Sequence, residues 1–107
     1  MHVGVLTLTF HLPAARSLKE KRASVRRFKD RIRSHFEVSV AEVGAQDLLQ
    51  RAVFGVAVIS GDARVCDSVL AKVARAAETQ EEMALTDQQI ELIPLGDELY
   101  DGRTDGH

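Results

Sequence analysis

Lys19, Arg22, Arg26, Lys29 and Arg33 recur at intervals of three and four residues. At 100° per residue from Leu18, all five fall between about 20° and 100° on one flank of a helix. The row covers about 21 Å of axis at 1.5 Å per residue. Cations at that spacing suit the phosphates of a nucleic-acid strand, and such binding releases counterions and weakens steeply with salt. Arg16 is a weaker addition to the row. Lys21, Arg27 and Arg31 place charge elsewhere on the same element, and Asp30 is the one acid beside the row. Two plainer uses compete: a solvated face neutralised by the chain's own acids, or contact with an acidic protein.

Other residues offer less chemistry. Glu42 and Asp47 are carboxylates close in sequence, but acid–base work needs two environments that drive their pKa values apart. Capping of its own loop is the simpler role for Asp47. His2, His11, His35 and His107 lack metal-ligand spacing, so no metal is expected. Cys66 lies on the apolar stripe of a helix and reads as a packed thiol. Ser60-Gly61-Asp62 has too little glycine to cradle a phosphate, and no dinucleotide fingerprint exists. The residues therefore point to no catalytic group and no cofactor, and to a protein that is not an enzyme.

The chain has 107 residues, 45% of them hydrophobic and 28% charged. That is one domain with enough apolar content for a core. A single cysteine excludes an internal disulfide and a cysteine-built zinc site. No apolar run approaches the roughly 20 residues of a membrane span, and no signal-peptide pattern opens the chain. A cytoplasmic location without membrane contact is the expectation. The net charge of −2 hides a split. Residues 1–36 carry nine basic and two acidic side chains, a net of +7; residues 37–107 carry five and fourteen, a net of −9. One electropositive surface on an acidic body follows.

The elements that must position these groups are readable from periodicity. Met1 to Leu12 alternates, with Leu6, Leu8, Phe10 and Leu12 on one face, and predicts a half-buried strand stopped at Pro13. Ser17 to His35 predicts a helix whose apolar stripe is Leu18, Val25, Phe28 and Ile32. Ser17 suits the N-cap, and Glu20 three residues later fits a capping box. Val38 to Val43 predicts a second strand, and Gln50 or Arg51 to Ser60 a third, apolar on both faces and therefore central. Asp62 suits the N-cap of a second helix with Cys66, Val69, Leu70, Val73, Ala76 and Ala77 buried. Leu85 to Leu95 contains a fourth strand, clearest at Ile90, Leu92 and Ile93. Residues 1–95 thus form one domain, and residues 96–107 read as a flexible acidic tail.

The order β-α-β-β-α-β is that of a ferredoxin-like α+β sandwich, a four-stranded antiparallel sheet with two helices on one face. Its other face lies open. If Leu6, Leu8 and Phe10 face the helices, then Val3, Val5, Val53, Ala57 and Ile59 face outward, an apolar patch suited to a homo-oligomer interface. RNA-recognition motifs share this topology and stack bases on aromatics of that face. None stands here, so contact with RNA would fall to the basic helix.

Several short runs carry a resemblance: His11-Leu12-Pro13, Ser17-Leu18-Lys19-Glu20-Lys21-Arg22, Val38-Ser39-Val40-Ala41-Glu42-Val43-Gly44, Gln46-Asp47-Leu48 and Gln50-Arg51-Ala52. In this order they resemble the YlxP-like family of bacterial proteins, a domain of unknown function, over about residues 1–95. The resemblance implies a ferredoxin-like fold and brings no established reaction and no catalytic residues. Members are often encoded near transcription and ribosome-maturation factors, which implies RNA or the ribosome as a partner. Family members often carry an aromatic where this chain has Leu49.

Overall fold

The computed structural model describes residues 1–96. The expected tail, apart from Gly96, lies outside the described residues. The elements are β1 (His2–His11), α1 (Leu18–His35), β2 (Ser39–Gly44), β3 (Arg51–Ser60), α2 (Ala63–Glu78) and β4 (Ala84–Pro94). All neighbours in the sheet are antiparallel, in the order β2-β3-β1-β4. This is the expected ferredoxin-like arrangement, with β1 and β3 as the central pair.

The two-residue period of β1 decides which way the sheet faces. Leu6, Leu8 and Phe10 are fully buried, as are Phe54 and Val56 of β3, and Val58 is nearly so. Against them pack Val25, Phe28 and Ile32 of α1 and Cys66, Leu70, Val73, Ala74 and Ala77 of α2. Three rings form the centre: Phe28 lies 5.1 Å from Phe10 and 4.7 Å from Phe54, and Phe10 lies 5.7 Å from Phe54. Ring pairs at these distances stabilise by about 0.5–1.5 kcal/mol each beyond their burial. They also fix how α1 is rolled about its axis, because turning it by one residue would put Arg27 or Lys29 in the place of Phe28.

Two details differ from the sequence expectation. Ser17 Oγ accepts from the Glu20 N–H at 3.1 Å, as a capping box requires, but Glu20 Oε1 accepts from the Arg16 N–H at 2.8 Å rather than from Ser17. On α2 the fully packed stripe contains Ala74, while Val69 and Ala76 are only partly buried. The helix is rolled toward its smaller side chains, which lets it lie close to β1.

That close approach is visible at Gly4. A Cβ there would stand 2.8 Å from Leu70 Cδ1 and 3.2 Å from Cys66 Cβ. Gly4→Val should therefore overpack the α2–β1 contact and cost about 1–3 kcal/mol, read as a lower denaturation midpoint. An unchanged midpoint would mean that α2 is free to shift outward.

Asp62 caps α2 as expected. Its carboxyl is held below the ordinary aspartate range by the Arg64 guanidinium, which donates at 3.1 and 3.3 Å, and then by the Arg64 N–H at 2.9 Å. Because the folded value is depressed, this contribution to stability is present above the unfolded pKa and lost as pH falls through the folded one. An NMR titration of Arg64→Ala should show the Asp62 carboxyl moving up toward its ordinary value.

Candidate nucleic-acid interface

The two flanks of α1 are treated differently by the rest of the chain. On one, Arg27 donates to Glu82 through Nε at 3.0 Å and Nη2 at 2.5 Å, and Arg31 reaches Thr79 Oγ1 at 3.3 Å. These bonds join α1 to the end of α2 and the turn after it, and Glu82 neutralises Arg27. The other flank overhangs β2, an edge strand of the sheet. It carries the five cations singled out by spacing.

Four of the five, Lys19, Arg22, Arg26 and Lys29, have side chains with no hydrogen bond and no ion pair among the described residues. Three are exposed and Lys29 is half-buried. Arg33 is partly committed: its Nη2 donates to the Val40 carbonyl at 3.2 Å, and its Nη1 lies 3.7 Å from Asp30. The structure thus brings the row together on one surface, and the acids among the described residues leave most of it unpaired. Arg16, at the start of the row, is also exposed.

Lys21 does not belong to that surface charge. It is 2% exposed, its Nζ donates to the Ala45 carbonyl at 2.5 Å, and it lies 3.1 Å from Glu42 Oε2. The expectation that it adds to the charge of the helix surface along with Arg27 and Arg31 is corrected: it is buried. Counted from Leu18 it stands at about 300°, between Phe28 and Ile32 in angle, so its burial was implied by the same wheel that located the row. Burying a lone ammonium is costly, and the pair with Glu42 offsets that cost. The lysine also holds Ala45, whose φ of 59° is a left-handed conformation unfavourable to a side chain. Next to it, Gln46 Nε2 donates to the Glu42 carbonyl at 3.2 Å. Arg33 and Gln46 therefore occupy two carbonyls of β2, which blunts an edge that could otherwise pair with another strand.

Lys21, Arg22, Val25, Glu42, Gln46 and Asp47 line a cleft of about 290 Å³ below the row. Glu42 and Asp47 do share this cleft, but Glu42 is engaged by Lys21 and works as a structural anion. Cys66 is fully buried, with its Sγ 3.6 Å from the His2 carbonyl. Among the described residues no group of three or more His, Cys, Asp or Glu side chains could hold a metal ion. No described helix is long and apolar enough to cross a membrane.

The open sheet face is the second candidate surface. Val3 pairs with Ile59 and Val5 with Ala57, so four of the five expected patch residues are neighbours, and Val53, opposite Thr9, stands beyond the Thr7–Gly55 pair. Ile59 is 64% exposed; Val3, Val5, Val53 and Ala57 are half-buried. Val43 joins them: with Val40 buried, the two-residue alternation of β2 puts Ala41 and Val43 on the outer face, Val43 at 59% exposure. Val5, Ala41, Val43, Gly55 and Ala57 line a shallow apolar hollow of about 270 Å³. Phe10, Phe28 and Phe54 are buried, and Phe36 packs against the core, so no phenylalanine ring stands on this face among the described residues.

Residues 3–90 match the model of a family described as a protein of unknown function, DUF503. Over 46 residues, 43% of this chain, the sequence is 50% identical to the uncharacterized protein YlxP of Bacillus subtilis (strain 168), and the match covers 50% of that relative. The chain thus spans about half the length of the curated relative it matches. A solved structure, that of the REP associates tyrosine transposase bound to a REP hairpin, is similar at a TM-score of 0.43 and 10% identity. That likeness covers 92% of this chain and 60% of the other. It is too loose for anything to be carried over from it.

Proposed function

The chain belongs to the DUF503 family, and from that premise we propose that it is a small, non-catalytic cytoplasmic protein that binds RNA or a ribonucleoprotein through the β2-side flank of α1. The observation that supports this reading is the row of Lys19, Arg22, Arg26 and Lys29, unpaired among the described residues on a helix whose opposite flank is tied down by Glu82. Phosphates are the anions that match several cations at regular intervals along a rod. The phosphate contacts are assigned to these four residues and to Arg33, whose bonds to Val40 and Asp30 leave donors to spare. Arg carries five N–H donors in a planar fork suited to phosphate.

The test is a titration of labelled generic RNA with the purified protein at several salt concentrations. With four to five phosphates neutralised, log affinity should fall linearly with log salt, with a slope of about −3 to −4. No binding at low salt would overturn the proposal.

A second reading rests on the apolar hollow and the exposed Ile59 beside it: association of two copies through the open sheet face. The two surfaces are on opposite sides of the sheet and do not exclude one another. Sedimentation across a range of concentrations should then show a dimer that Ile59→Lys converts to monomer. A wild-type protein that is monomeric at every concentration would remove this reading.

A further inference from the structure

We infer that the α1 surface takes duplex RNA, read by shape and backbone, rather than a single strand; this rests on the RNA reading above. Single strands are held by bases splayed out and stacked on exposed rings. Among the described residues the phenylalanines are spent elsewhere: three form the buried cluster at the centre of the core, and Phe36 packs against it. The sheet route is closed by charge as well. Asp87 lies opposite Thr9, and Glu91 opposite Val5, so β4 places two carboxylates on the open face where a strand would have to cross. What remains is the cation row on α1.

The helix that carries the row is held rigidly. Phe28 fixes the roll of α1, Lys21 ties it to the turn after β2, and Arg27 ties it to Glu82. Cations at regular intervals along a rigid rod suit a ligand whose phosphates are themselves held at fixed spacing. Duplex RNA is such a ligand, recognised by phosphate and sugar contacts with little dependence on sequence. A flexible strand would have to be ordered along the helix with no phenylalanine ring among the described residues to hold its bases.

The experiment compares one unstructured RNA strand with the same strand annealed to its complement, at equal phosphate concentration and equal salt. The duplex should bind about tenfold tighter or more, and exchanging its sequence should change little. Lys19→Ala/Arg22→Ala/Arg26→Ala should abolish the duplex preference. A single strand that binds as tightly as the duplex, or a duplex preference that survives the triple substitution, overturns this inference while leaving RNA binding itself in place. Failure of both ligands to bind at low salt overturns the RNA reading and this inference with it.

Discussion

Replacing Lys19, Arg22 and Arg26 together by alanine should weaken RNA binding by about a hundredfold near 0.1 M salt and flatten the salt slope by about 2–3. The size follows from counterion release, since each lost phosphate contact removes one released ion. The fold should survive. None of the three side chains is bonded to anything among the described residues, and all three are exposed. Alanine is also the best helix former, so stability should change by no more than about 0.5 kcal/mol. A matched control lies on α2, where Lys72 and Arg75 are likewise exposed and unbonded. Their replacement should leave the slope nearly unchanged. Fluorescence anisotropy at several salt concentrations separates the cases. Equal slopes for the wild type and the α1 variant would mean that phosphate contacts lie elsewhere.

The second large effect is on stability and comes from the one lysine that is not on the surface. Lys21→Met should destabilise the protein by about 3 kcal/mol, the lower end of the range for breaking a buried pair. The lower end applies because Glu42 keeps 17% of its surface exposed and is partly solvated when abandoned. The Ala45 carbonyl loses its donor at the same time. For a domain of this size about 3 kcal/mol lowers Tm by roughly 12–20 °C. Lys21→Met/Glu42→Leu should recover much of the loss, since a well-packed apolar pair can replace a buried ionic one. The salt slope of RNA binding should be unaffected in the folded variant, because Lys21 contributes nothing to the outer row. A loss below about 0.5 kcal/mol would put the pair on the footing of a surface salt bridge.

These two lysines, Lys19 and Lys21, show what a sequence reading can and cannot separate. Both belong to the same basic run, yet one is solvated and the other is among the most buried side chains of the domain. The helical wheel distinguished them by angle, but counting charge by segment did not. The alternation of β1 and the apolar β3 were enough to orient the sheet, and Ser17 and Asp62 were legible as caps because their side chains act within three residues. Contacts across long stretches were not legible. Nothing in sequence links Arg27 to Glu82 or Lys21 to Ala45, and those links decide which flank of α1 stays free. The polar run Thr86 to Gln89 gave only a weak strand signal. It is a strand because β1 supplies its pairing from His2 to His11, and as an edge strand it needs no apolar outer face.

The most direct measurement is a map of amide chemical-shift changes as RNA is added to isotope-labelled protein at low salt. Binding by the outer flank of α1 predicts changes concentrated at residues 19–33 and in the neighbouring turn at residues 44–47, with Val3, Val5, Ala57 and Ile59 unmoved. Changes centred on the open sheet face, with α1 silent, would contradict it.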